Sequence, residues 1–292
     1  MKETVDTVRF NLKRTDGMKR VISGAVFVAI VAGFLLLRQF VDYRLFTLLI
    51  FVFSVGSAIE MAKATKSVVG KNVSICTIIF GTLLVPVYCL FNYWLKDGYG
   101  WLFGVIIILL CLVCNFFILF NQDKTRGASF FAFLDAVYPS VCILLMLMVN
   151  DIEGYNGFLA TLTLFVVSPC SDTMAFSIGS LFGGPKLCPR LSPKKTWSGA
   201  IGGVCGGAIG ALLVYLVFAR SLGGSFTWFL FALMGFVGSV FTQLGDLFES
   251  YIKRKLNIKD MGNIMPGHGG ILDRVDGACF ASAVVLVAFM LL

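Results

Sequence analysis

"WLFGVIIILLCLVCNFFILF", residues 101–120, is a run of twenty residues without one formal charge. As a helix rising 1.5 Å per residue it covers about 30 Å, the thickness of a bilayer's hydrocarbon core. In lipid only helices and closed barrels satisfy their backbone groups. The run lacks the two-residue alternation of a barrel strand, so it reads as a transmembrane helix.

The same reading carried outward predicts nine spans, at about 21–37, 44–62, 74–95, 101–120, 129–149, 158–182, 200–219, 225–245 and 275–292. The expected fold is an all-α polytopic membrane protein whose functional loops face the cytoplasm. Composition agrees: of 292 residues 58% are hydrophobic and 14% charged, with a mean hydropathy of +0.89. A soluble domain carries about 25% charged residues. The first span follows basic residues, but "VISGAVFVAIVAGFLLLRQF" has no small-residue cleavage pattern and reads as a mature helix.

Of the 24 Lys and Arg, only Arg38, Arg44, Lys96 and Arg220 fall on one set of alternate loops. The other 20 lie on the N-terminal tail and the opposite loops, which the positive-inside rule places in the cytoplasm. The net charge of +8 is thus mostly a topology signal and calls for no nucleic acid. The nine cysteines lie almost all within spans, where thiols pack as small apolar groups. Cys111 and Cys114 form a C-x-x-C with no second pair or nearby histidine, a poor zinc or redox site.

Polar residues divide the chain into 1–157, five spans with short loops, and 158–292, where function is expected. In the first part Glu60 and Asp135 lie near cytoplasmic span ends: ionisable groups at membrane depth often carry function, but these are expected to reach water. In the second, Asp172 sits inside the sixth apolar run beside Pro169, Ser168, Ser171 and Thr173, a composition suited to a wet cavity or to an interhelical hydrogen bond. "GGPKLCPRLSPKKTWSG", residues 183–199, is a Pro-rich basic loop in which Ser192, Lys194 and Lys195 adjoin Thr196 and Trp197. That cluster suits a polyphosphate or an anionic headgroup, although lysines that only enforce topology would look the same. "GAIGGVCGGAIG", residues 199–210, repeats glycine at four-residue spacing in two series, a close-packing pattern for membrane helices.

If the eighth helix continues past the bilayer, Asp246, Glu249, Ser250 and Lys253 share one face. Asp273 and Asp276 are likewise three apart at the start of the last span. Hard oxygen donors of this kind favour Mg²⁺ over zinc. Between the two helices "MPGHGG", residues 265–270, places His268 in a glycine turn, either as a catalytic residue that donates to a phosphate or to a leaving group, or as a structural histidine.

These positions resemble the signature of the phosphatidate cytidylyltransferase (CDP-diacylglycerol synthase) family: Ser250, Lys253, Arg254, Lys259, Asp260, Pro266, His268, Gly269, Gly270, Asp273, Arg274 and Asp276. "SPKKTW" (192–197) and Gly245 to Ser250 match two further family segments. Departures are Met265 before the signature proline, Ser198 where glutamate is common and Phe176 where tyrosine is common. The likeness is strong over 158–292 and rests on hydropathy before that.

The resemblance implies an integral-membrane enzyme that joins CTP and phosphatidate into CDP-diacylglycerol and releases pyrophosphate. It implies a required Mg²⁺, with a second cation left open, and metal held by Asp246 and Asp273. Helix spacing adds Glu249 and Asp276. Lys194, Lys195, Lys253, Arg254 and Arg274 would bind phosphates, Ser192 and Ser250 would assist, and Asp172 would line the cavity. A homodimer in the inner or plasma membrane is also implied, the glycine series offering it a close contact. A transporter or channel predicts acids spread through the bilayer and internal repetition, neither of which the sequence has. A relative acting on another lipid phosphate or a polyprenol uses the same motifs, so that alternative stays open.

Overall fold

The computed structural model describes residues 22–95, 98–120, 126–220, 227–265 and 269–291. Among these residues nine helices are long and apolar enough to cross a membrane: α1 (Ile22–Phe40), α2 (Arg44–Val69), α3 (Lys71–Cys89), α4 (Gly100–Phe120), α5 (Arg126–Asn150), α6 (Gly154–Phe182), α7 (Trp197–Val214), α8 (Thr227–Lys255) and α9 (Leu272–Leu291). Each apolar run of the sequence therefore became one helix. The ends moved: α8 continues as far as Lys255, and α2 reaches Val69.

The basic loop after α6 is not irregular. Strand β1 (Lys186–Cys188) pairs antiparallel with β2 (Ser192–Thr196), with Lys186 opposite Thr196 and Cys188 opposite Ser192. Two bonds fix this hairpin to α7: Trp197 N–H donates to the Pro185 carbonyl at 3.1 Å, and Thr196 Oγ1 accepts from Gly199 N–H at 3.2 Å as the helix cap.

The glycines of α7 are engaged inside the chain. A Cβ at Gly206 would stand 2.5 Å from Met174 Cβ of α6, one at Gly202 2.7 Å from Ile178 Cβ, and one at Gly207 would collide with Ser239 of α8. Helix α7 is thus pressed between α6 and α8, which corrects the expectation that the glycine series faces a second protomer. The small residues are already committed to intrachain packing, where close backbone approach maximises dispersion contact.

Helix α9 packs against α8, α6, α5 and α2. Asp135 and Glu60, expected to reach water, are 0% and 2% exposed. Asp135 Oδ2 accepts from Thr65 Oγ1 at 2.7 Å, and Glu60 faces the start of α9. At the end of the bundle remote from the hairpin, Asp151 accepts from Tyr88 Oη at 2.6 Å, from Asn92 Nδ2 at 2.5 Å and from Tyr93. Burial pushes the Asp151 carboxyl up, opposed by those hydroxyl donors and by Arg38 and Arg44. Buried Arg38 donates to Asn150 Oδ1 at 2.9 Å and to the Asn150 carbonyl at 2.7 Å, so that end is cross-tied by paired polar groups.

Candidate active site

Between α6, the hairpin, the first turn of α7 and α8 lies a cleft of about 500 Å³, within the usual range for small-molecule sites of about 300–1,000 Å³. Its lining joins acids to cations: Asp172 from α6, Lys186, Lys194 and Lys195 from the hairpin, and Gln243 and Asp246 from α8. Lys195 Nζ stands 2.5 Å from Asp246 Oδ2, with side chains 25% and 36% exposed. Lys195 and Arg274 both act electrostatically on Asp172. A glycine floor lets these elements meet. Gly179 of α6 and Gly199 of α7 pack so closely that a Cβ on Gly199 would be 2.8 Å from the Ala175 carbonyl.

Continuation of α8 beyond its apolar run, as far as Lys255, puts its acidic face beside α9. Glu249 is 0% exposed, and Lys253 Nζ bridges Glu249 Oε1 at 3.2 Å and Asp273 Oδ1 at 2.8 Å. Glu249 and Asp246 of α8 are both close enough to Asp276 of α9 to act on it electrostatically. Glycine again sets the spacing, since a Cβ on Gly245 would be 2.7 Å from the Asp276 carbonyl.

Asp273 has a different occupation. Its Oδ2 accepts from Gly270 N–H at 2.7 Å and Met261 N–H at 3.0 Å, while Oδ1 takes Lys253. Gly269, at φ 86°, adopts a backbone that L side chains rarely allow, and a Cβ there would stand 2.6 Å from Asp273 Oδ2.

The predicted residues therefore fall into groups. Asp172, Lys194, Lys195 and Asp246 line the cleft, and Glu249, Lys253, Asp273 and Asp276 form an acidic cluster beside it. Ser250 Oγ donates weakly to Asp246 Oδ1 at 3.5 Å. Arg274 is exposed near Asp172. Two residues stand apart. Ser192 sits at the base of β2 opposite Cys188, outside the cleft lining, and Arg254 reaches to the Leu191 carbonyl at 3.3 Å, tethering the hairpin to α8. His268 lies outside the described residues.

The carboxylates suit a divalent cation. Glu249 Oε2 is buried with no hydrogen-bond donor, and the carboxylates gathered here offer only hard oxygens. Among the described residues no three acids already converge as a metal shell.

A family model described as the cytidylyltransferase family matches residues 18–292. The chain belongs to the cytidylyltransferase family. A relative from Rickettsia bellii, named phosphatidate cytidylyltransferase, is 33% identical over 213 residues, which are 71% of this chain and 87% of that protein. One of the same name from Mycobacterium bovis is 34% identical over 66% of this chain and 67% of its own length. A Brucella abortus protein, also so named, is 44% identical over 129 residues, and the aligned part spans 46% of its length. For this cytidylyltransferase-family chain, sequence reading missed Gln243 and Lys186 as cleft residues. Gln243 was detectable, standing one turn before Asp246 on the same face of α8. Its Nε2 donates to the Ala200 carbonyl at 3.1 Å, fixing α8 to α7 at the cleft floor.

Proposed function

We propose that the protein is an integral-membrane nucleotidyltransferase that converts CTP and phosphatidate to CDP-diacylglycerol and pyrophosphate in phospholipid biosynthesis. The observation that carries this reading is the cleft in which Lys194 and Lys195 face Asp246 and Asp172 beside a second acidic cluster. The names of the family relatives supply the reaction. Such a site can gather two polyanions and compensate charge on a departing pyrophosphate.

In this reading a phosphate oxygen of phosphatidate attacks the α-phosphorus of CTP, and the bond to the pyrophosphate oxygen breaks. A phosphate monoester has a second pKa near 6, so the nucleophile is largely ionised at neutral pH and needs no strong base. Lys194, Lys195 and Arg274 bind and orient phosphates, with the planar guanidinium suited to bidentate contact. Lys253 holds Glu249 and Asp273 in register. Mg²⁺ would be held by Asp246 with Glu249, Asp276 or the remaining lone pair of Asp273, and when bound it supplies charge neutralisation at the phosphates. The chemistry is assigned to 158–292, with the earlier helices as scaffold.

The positive-inside distribution supports a cleft facing the cytoplasm, where CTP is found. A homodimer in the inner or plasma membrane belongs to the same reading and would use surface other than the glycine face of α7.

Protein purified in detergent should release pyrophosphate only when CTP, Mg²⁺ and phosphatidate are all present. Release that persists without any lipid phosphate would contradict the assignment. Faster release with a polyprenyl phosphate than with phosphatidate would move it to a different acceptor.

A further inference from the structure

Glu60 of α2 hydrogen-bonds to the signature segment from the first half of the chain. Helix α2 presents Gly56 and Glu60 one turn apart toward the chain that enters α9. Gly56 admits the Ile271 side chain, whose Cβ would lie 3.2 Å from a Cβ placed on that glycine. Glu60 Oε1 accepts from Ile271 N–H and Oε2 from Leu272 N–H, each at 2.9 Å. Gly262 and Gly270 close over the same carboxylate, and a Cβ on either would collide with Glu60 Oε1.

The first N–H groups of a helix have no intrahelical acceptor, and a negative charge there is favoured by the helix dipole. Caps are ordinarily local. Here the acceptor comes from a residue 211 positions away, so the cap also fixes where α9 begins relative to α2. Asp273 completes the arrangement by taking Gly270 and Met261 N–H, so two carboxylates hold four amides of the loop before α9 and of its first residue.

We infer that Glu60 is a positioning residue for the reaction: through the Ile271 and Leu272 amides it sets the start of α9 and thereby the placement of Asp273 and Asp276 against Glu249 and Asp246. Among the described residues its hydrogen bonds go to the Ile271 and Leu272 amides and not to the cleft lining, and its effect passes through the backbone of α9. The catalytic half is on this account incomplete without α2. The inference rests on the functional reading above for its kinetic consequence, while its structural part stands apart from that reading.

Hydrogen exchange of the wild-type protein in detergent tests the structural part with no variant at all. The Ile271 and Leu272 amides should exchange as slowly as those of the α9 interior, although first-turn amides ordinarily exchange fast. Rapid exchange there would overturn the clamp. In Glu60→Gln, which keeps the shape but puts an amide NH₂ against one backbone N–H, exchange should rise over 269–273 and stay unchanged over the α2 segment 46–58. The kcat for pyrophosphate release should fall about 10–100-fold, the usual cost of removing an outer-shell partner, with KM for CTP little changed because the cleft lining is intact. Unchanged kcat alongside raised exchange would overturn the positioning role, and so would a uniform rise in exchange, which marks a merely structural group. Wild-type protein that is inactive but protected at 271 and 272 would sink the functional reading and leave the clamp standing.

Discussion

Asp246 holds its charge partly exposed against Lys195, whereas Asp273 spends its oxygens on Lys253 and two backbone amides. The two signature aspartates should therefore respond differently to the same substitution. Asp246→Asn removes a cleft charge whose partner can turn to water, so folding should be kept while kcat falls about 10²–10³-fold, the scale of one lost electrostatic contact at a reacting centre. Asp273→Asn leaves Lys253 short of a partner and one amide facing an NH₂ group, costing about 1–3 kcal/mol for the unsatisfied donor. Its activity should fall as well, with a lowered unfolding temperature that Asp246→Asn does not show. Parallel thermal unfolding and pyrophosphate assays distinguish them, and identical unfolding temperatures would contradict the structural part given to the Asp273 contacts.

Helix α7 shows at the scale of an element how composition becomes position. Its glycines bring α6 and α8 close enough for Asp172, Gln243 and Asp246 to line one cleft. Gly206→Ala would place a methyl 2.5 Å from Met174 Cβ and 2.7 Å from the Cys170 carbonyl, neither of which can swing aside. Overpacking of that kind costs about 1–3 kcal/mol and should lower both thermal stability and activity. Gly238→Ala is the control, because its added methyl meets only Val167 Cγ1 at 3.5 Å, an ordinary contact. It should be neutral or mildly stabilising, since alanine exceeds glycine in helix propensity by about 1 kcal/mol. Equal loss in both variants would contradict the packing role of α7.

The extension of α8 was legible in the sequence, because Asp246, Glu249, Ser250 and Lys253 repeat with helical spacing beyond the apolar run. The β1–β2 hairpin was not: its strands have three and five residues, contain Pro193, and carry no alternating pattern that a short window could detect. Arg254 illustrates the same limit, since its place in the signature gives no sign that it turns toward the Leu191 carbonyl.

Across the whole molecule, the nine helices could be read from hydropathy because lipid imposes length and polarity on every span. Glu60 could not be read in the same way. Its partners lie at the far end of the chain, and an acid near a span end looks the same whether it meets water or two buried amides. Orientation is open to direct measurement. Cys188, half-buried in the hairpin, should react with a membrane-impermeant maleimide in inside-out vesicles and not in right-side-out ones. Cys188→Ser should remove the label, and labelling only from the other side would reverse the topology.

The central claim is that a lipid phosphate becomes joined to the α-phosphorus of CTP. The measurement that bears on it most directly follows two labels, one on the CTP α-phosphorus and one on the phosphatidate phosphorus, after incubation with purified protein and Mg²⁺. A single lipid product carrying both labels, formed in equal amount with pyrophosphate, is the predicted result. A lipid that keeps the phosphatidate label and gains none from the CTP α-phosphorus would contradict it.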